Sequence, residues 1–135
     1  MAVFKDPKKL QQHIKKALDA TLAETLITAQ AELGSTDISP RDTGRFRSSW
    51  FAAEGSPSGA VASEGSDSPN TDARGLRVDS EKTYHLTNSL PYSQSVAIEG
   101  RVVSASPNWF HDFRNRRLRQ IQQQAAKTSK KAFDL

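Results

Sequence analysis

The sequence has no cysteine, a single methionine, and only two tryptophans, two tyrosines and six phenylalanines among its 135 residues. The absence of cysteine removes disulfides and thiolate chemistry from consideration. No apolar run approaches the roughly 18 residues that a membrane-spanning helix requires, and the opening residues MAVFKDPKKLQQ hold no apolar core of the signal-peptide kind. The expectation is therefore a soluble protein made in a cytoplasm. With 36% hydrophobic residues and a mean hydropathy of -0.64, the chain sits at the polar end of the globular range. Its length suits a single domain with a modest core, and such polarity suggests stability completed in part by partners.

Devices of catalysis are also missing. His13, His85 and His111 lie far apart and form no HExxH or HxxxH spacing, so no metal site is expected. No GxSxG surrounds a serine, and the glycines form neither GxGxxG nor a phosphate loop. A Ser/His/Asp triad leaves no spacing to read, because its members meet only in three dimensions. The sequence thus predicts no catalytic residue, no cofactor and no metal, and the expectation is that the protein is not an enzyme.

What is present is charge, unevenly placed. Residues 1–34 hold five Lys/Arg against four Asp/Glu, residues 35–100 six against nine, and residues 101–135 eight against two. The regional balances are +1, -3 and +6, within a total of +4. A basic end of this kind either faces a polyanion or forms the solvated side of a helix, and the sequence leaves both open. Arg114, Arg116, Arg117 and Arg119 follow Trp109, Phe110 and Phe113, which are materials for phosphate contact and stacking. Aromatics at helical spacing are more often core, and no nucleic-acid-binding motif is visible.

Asp6 and Pro7 read as a cap and first helical position. Leu10, Ile14, Ala17, Leu18, Thr21, Leu22, Leu26, Ala29 and Leu33 then recur at three- and four-residue steps, predicting an amphipathic helix over 5–34. Gly34 is expected to close it in the left-handed conformation. At 1.5 Å per residue the helix is roughly 40 Å long, more than a domain of this size needs to cover, so part of it is expected to pack on a neighbouring chain. SSWFAA (48–53) predicts a strand with Trp50 and Ala52 on one face, and KTYHLTN (82–88) another with Tyr84 and Leu86 inward. Between them, residues 54–75 contain four Gly, five Ser and two Pro. They predict a mobile or protruding loop or hairpin, with room for a brief strand at 59–63. Residues 92–99 are ambiguous between a helical turn and a strand, and 101–104 suggest a strand. Ser106 and Pro107 open a last helix over 107–128, with Phe110, Phe113, Leu118, Ile121 and Ala125 as its apolar stripe. The expected fold is one α+β domain over 1–135, with long N-terminal and C-terminal helices on a small, mostly antiparallel sheet region at 44–104.

Two blocks stand out, SPRDTGRFRSSW (39–50) and NSLPYSQSVAIEG (88–100). In the first, Pro40 stops the preceding helix, Asp42 and Thr43 bond local backbone amides, and Gly44 permits a tight turn into a strand. Arg45 and Arg47 are then expected to project to one side by strand alternation. Pro40, Asp42, Thr43, Gly44, Arg45 and Ser49 resemble the (S/T)PxDTGxLxxS element of the tail-completion and tail-terminator proteins of tailed bacteriophages, a group that includes head-tail joining and minor tail protein Z-like components. Phe46 stands where leucine is usual. Asn88, Pro91, Tyr92, Glu99 and Gly100 are similar to that family's NxxPYAxxxExG element, with Ser93 in place of alanine. ASPNWF (105–110) resembles its APxGxV-like opening of the last helix.

The resemblance implies a structural virion protein, assembled in the bacterial cytoplasm, that forms a ring at the head-proximal end of the tail. The ring, most often a hexamer in such proteins, ends the tail tube and joins it to the neck. It implies as partners further copies of the chain, the head-tail connector and neck proteins, the tail tube protein and, non-specifically, DNA in the channel, with no membrane. Asp42, Arg45, Arg47, Tyr92, Glu99, Arg114 and Arg117 become the candidates for subunit-interface or channel residues. Another neck ring, adaptor or stopper, or a small basic nucleic-acid-binding protein, is the alternative.

Overall fold

The computed structural model describes residues 5–35, 44–91, 93 and 108–135. The suggested elements at 92–99 and 101–104, and the Ser106–Pro107 start, lie outside these or cannot be judged from them. Helix α1 spans Pro7–Leu33. Asp6 caps it by accepting from the Lys8 amide at 2.9 Å, and Pro7 occupies the first turn, where its missing N–H costs nothing. Gly34 ends the helix at φ -83°, so the expected left-handed closure does not occur. Glycine is needed there for space instead: a Cβ would lie 2.8 Å from the Cβ of Pro69.

The segment after it departs from expectation. Gly44–Ser48 forms a short helix, α2, where the sequence predicts a turn leading directly into a strand. Two hydroxyls favour the helical turn. Ser48 Oγ donates to the Gly44 carbonyl at 2.7 Å and Ser49 Oγ to the Arg45 carbonyl at 2.6 Å, each closing a four-residue loop. Strand β1 begins only at Trp50 and runs Trp50–Glu54; it pairs antiparallel with β2, Tyr84–Asn88. The register sets Trp50 opposite Asn88 and Glu54 opposite Tyr84. Trp50 and Ala52 are buried, as period-two alternation predicts.

At the C-terminal end, α3 (Trp109–Asp112) passes through a π-helical stretch, Phe113–Arg117, into α4 (Leu118–Ala132). A wider turn absorbs one extra residue. Phe113 and Ile121, eight residues apart, would sit about 80° apart around a regular helix of about 3.6 residues per turn; the wider turn brings them closer to one line, and Trp109, Phe113, Ile121 and Ala125 are all buried. The helix runs past Thr128, its expected end. Phe133, just beyond it, sets its ring edge-on to His13 at 5.5 Å, and His13 Nε2 hydrogen-bonds the Phe133 carbonyl. That contact fastens the end of α4 beside α1, against which it packs.

The main core joins Ala29 and Leu33 of α1 to Phe46, Trp50, Leu90, Trp109, Phe113 and Ile121. Four aromatic rings form a closed circuit in it. Phe46 meets Trp50 at 5.9 Å and Trp109 at 6.0 Å edge to face, Trp50 stacks on Phe110 at 5.9 Å, and Phe110 meets Trp109 at 5.6 Å. Such pairs contribute about 0.5–1.5 kcal/mol each beyond area burial. A smaller cluster gathers Leu26, Ala52 and Ala73, the last from a 3-10 turn at Asp72–Gly75.

Among the described residues the sheet has two strands, and along the edge of β1 away from β2 side chains fill the place of a third. Gln30, 1% exposed, donates to the Trp50 carbonyl at 3.0 Å and accepts from the Ala73 amide at 2.9 Å. Its amide also donates to Asp72, whose carboxylate accepts from the Ala52 amide at 3.1 Å. Replacing Gln30 by Leu strands the Trp50 carbonyl and the Ala73 amide, and should cost about 2–4 kcal/mol. The check is the urea midpoint: the Gln30→Leu protein should unfold at clearly lower denaturant with an unchanged slope.

Candidate functional site

The two signature blocks meet in space. Asn88, at the end of β2, donates from Nδ2 to the Phe46 carbonyl at 2.9 Å and accepts from the Leu90 amide at 3.3 Å. Phe46 and Leu90, each 2% exposed, then share the main core. The asparagine of the second block thus caps the C-terminal end of α2, the turn built by the first.

Arg45 and Arg47 do not project together from a strand. Two residues apart on a helix, they diverge, and both hold the 54–75 segment against the domain. Arg45 Nε donates to the Ala62 carbonyl at 2.8 Å. Arg47 donates to Asp67 Oδ1 at 3.1 Å, to the Asp67 carbonyl and to the Gly34 carbonyl at 3.3 Å. Ser49, fully buried, accepts from the Ala62 amide at 3.0 Å, and Ser89 Oγ donates to the Ser58 carbonyl at 2.9 Å. The segment expected to be mobile or protruding is therefore tethered, and no strand forms at 59–63. It buries little apolar surface beyond Ala73, so its backbone is satisfied largely by side chains of Arg45, Arg47, Ser49, Ser89 and Gln30. Gly44 belongs to the same clamp: a Cβ there would lie 2.6 Å from the Cβ of Asp67.

Arg114 and Arg117 lie at a separate place, on the π-helical stretch. Arg117 forms a bidentate pair with Glu32 of α1, at 2.6 and 2.7 Å, which holds its guanidinium pKa above the usual value. Arg114 sits over the Phe110 ring at 5.8 Å and contacts His111 Nδ1 at 3.2 Å. Asp42, Tyr92 and Glu99 lie outside the described residues. Among the described candidates, Arg45 and Arg47 share α2 and Arg114 and Arg117 share the π-helical stretch, each side chain reaching its own partner. Gln30 and Asp72, which the sequence reading passed over, and Ser49, named there only as part of the first block, hold more of the framework. A glutamine interrupting the apolar stripe between Ala29 and Leu33 was the signal available for the first.

Along α1 the apolar stripe is only partly covered. Ala17, Leu26, Ala29 and Leu33 are buried, whereas Leu10, Ile14 and Leu18 are 38%, 40% and 53% exposed. An open trough of about 1110 Å³ follows this end of the helix past Ile14, Leu18 and Leu22. It continues into a hollow of about 370 Å³ between Leu33, Trp50, Leu86, Phe110 and Phe113, with exposed Lys82 and Arg114 beside it. Trp50, which lines the hollow, has a buried indole N–H without an acceptor among the described residues.

One wall of the trough is the turn preceding β2, held to α1 by charge. Lys15 Nζ lies 3.1 Å from Asp19 and 3.0 Å from Asp79, and Asp19 accepts from the Ser80 amide at 2.7 Å. The carboxylates of Asp79, first and then Asp19, raise the Lys15 pKa. Partial burial pushes Asp19 upward, but the Ser80 hydrogen bonds and Lys15 outweigh it and leave its carboxyl below the usual range. The Glu81 amide, followed by Lys15, lowers Asp79. Among the described residues no group of three His, Cys, Asp or Glu side chains could hold a metal ion, and no helix is long and apolar enough to cross a membrane.

Two outcomes follow from this geometry. Because both carboxyl pKa values are depressed on folding, the Lys15 cluster contributes stability above about pH 4, the unfolded carboxylate value, and loses it as pH falls through the folded values. Asp19→Asn should therefore melt below the parent protein at pH 7, and the two melting curves should converge toward pH 3. Gly44→Ala should force Asp67 away and loosen the clamp, at a cost of about 1–3 kcal/mol. Limited trypsin digestion should then cut at Arg74 or Arg77 faster than in the parent protein. Compared with family models, curated proteins and solved structures, the chain matches none of them.

Proposed function

We propose that the chain is a structural subunit of a tailed-phage particle, forming a closed ring at the head-proximal end of the tail that ends the tube and joins it to the neck. The reading is supported by the two sequence blocks that resemble tail-completion and tail-terminator proteins. The observation that carries it is the unpartnered apolar row Leu10, Ile14 and Leu18 on α1.

Full burial of a leucine or isoleucine side chain contributes about 1.5–3 kcal/mol, and roughly half of that is left unused within one chain at each residue of the row. The occupant proposed is a second copy. Rings close through heterologous contacts, in which one patch meets a different patch on the next subunit. The exposed row supplies one patch, and the apolar hollow beside Leu33, Trp50 and Leu86 supplies a complement of matching chemistry. The row lies toward the N-terminal end of α1 and the hollow toward its C-terminal end, so each copy offers both halves of the contact. A ring built this way halts tube growth by presenting one face to the last tube ring and another to the connector.

Native mass spectrometry at 1 to 100 micromolar, alone and with tail tubes or connector rings, tests the reading. The expected result is a closed oligomer, free or on the tube, that Ile14→Lys converts to monomer without lowering the melting temperature by more than about 4 °C, or roughly 1 kcal/mol. A parent protein that stays monomeric and associates with neither tubes nor connectors would sink the proposal. Retention on connectors but not on tubes would point to an adaptor or stopper ring instead.

A further inference from the structure

Seven Lys/Arg and no Asp/Glu lie between Asp112 and Asp134. The structure sorts these cations. Arg117 is spent on Glu32, and Arg114 lies over Phe110. Arg116, Arg119, Lys127, Lys130 and Lys131 are exposed, none has an ion-pair partner among the described residues, and the first four form a row. Their spacings of 3, 8 and 3 residues place them along one side of the helix, since 11 residues make close to three turns of about 3.6. The buried Ile121, Ala125 and Ser129 face the other way, toward α1. Over 14 residues the row runs for about 21 Å at about 1.5 Å each.

We infer that this outer face of the π-helical stretch and α4 is a binding surface for the phosphate backbone of duplex nucleic acid, with Arg116, Arg119, Lys127 and Lys130 as its contact residues. Like-charged side chains three residues apart repel, so a row without neutralising acids is unfavourable until counter-charge arrives from outside. The composition of the face separates nucleic acid from an acidic protein. Interfaces between proteins have a core enriched in aromatic and apolar groups and depleted in charge. Here Gln123 lies among the cations, with Gln120 and Ala126 at its margins, and the large exposed apolar residues, Leu10, Ile14, Leu18, Val61 and Leu135, lie outside α4. Cations and amides without an apolar centre suit phosphate and sugar oxygens. No aromatic side chain of α4 is available to stack on unpaired bases, which favours a duplex over a single strand. The surface does not depend on the ring reading, because a monomer would present the same row.

Fluorescence anisotropy with a 20-base-pair duplex at 50 to 200 mM salt reads it. Four phosphate contacts give a slope of log K against log salt of about -3 to -4 per protomer, or roughly a hundredfold loss of affinity across that range. The R116Q/R119Q/K127Q/K130Q protein, shown to be folded by its helical circular dichroism and melting curve, should lose at least about a hundredfold at 50 mM and most of the slope. R116K/R119K should retain both, and Arg117→Gln should change the slope by less than about one unit. The inference is overturned if the parent protein fails to bind at 50 mM salt or if the quadruple variant keeps the parent slope. It is equally overturned if one duplex sequence is preferred more than tenfold, or if poly-L-glutamate at equal charge binds more tightly than the duplex.

Discussion

The closed circuit of Phe46, Trp50, Phe110 and Trp109 is the constraint on which the other contacts rest. Its members come from the adjacent elements α2 and β1 and from the distant α3. Each ring touches two others at an angle or offset that its quadrupole favours, so no one of them moves without disturbing its neighbours. In a chain with so few aromatics, placing four of them in one cycle concentrates much of the available apolar surface at a single point. The Asn88 bond to the Phe46 carbonyl fixes β2 to the same point, which fixes where the second strand must lie.

Around that centre the chain is held largely by polar side chains acting on backbone. Gln30 and Asp72 complete the open edge of β1, and Ser48 and Ser49 close α2. Arg45 and Arg47 secure a 22-residue segment rich in glycine, serine and proline. This arrangement reconciles a low hydrophobic content with an ordered structure. A buried amide or carbonyl left without a partner is costly, and a long side chain reaching it stabilises a loop that apolar packing alone would not.

Two surfaces stay unspent once the core is formed, and they differ in chemistry. The N-terminal end of α1 presents leucine and isoleucine; the outer side of α4 presents lysine and arginine. Because α1 and α4 pack side by side, burying the inward face of each leaves these two faces directed elsewhere. The first suits another protein chain and the second a polyanion, so one subunit can serve an assembly and a nucleic acid through separate residues.

The sequence by itself determined the helices and strands whose signals are local. Asp6–Pro7 marks the start of α1, alternation at Trp50 and Ala52 marks β1, and the stripe Phe110, Phe113, Leu118, Ile121 and Ala125 marks the C-terminal helix. It also left the N-terminal end of α1 visibly longer than one domain requires. Only the tertiary structure decided that Gly44–Ser48 is helical, that Arg45 and Arg47 grip a loop, that Trp109 belongs to the core, and that Arg117 is neutralised while Arg116 and Arg119 are not. The last three depend on partners 13 to 85 residues away or on the phase shift of a π-helical turn, and the first on hydroxyls that reach back four residues. Periodicity records which face of an element is apolar; which distant group a polar side chain reaches is fixed only when the elements are packed.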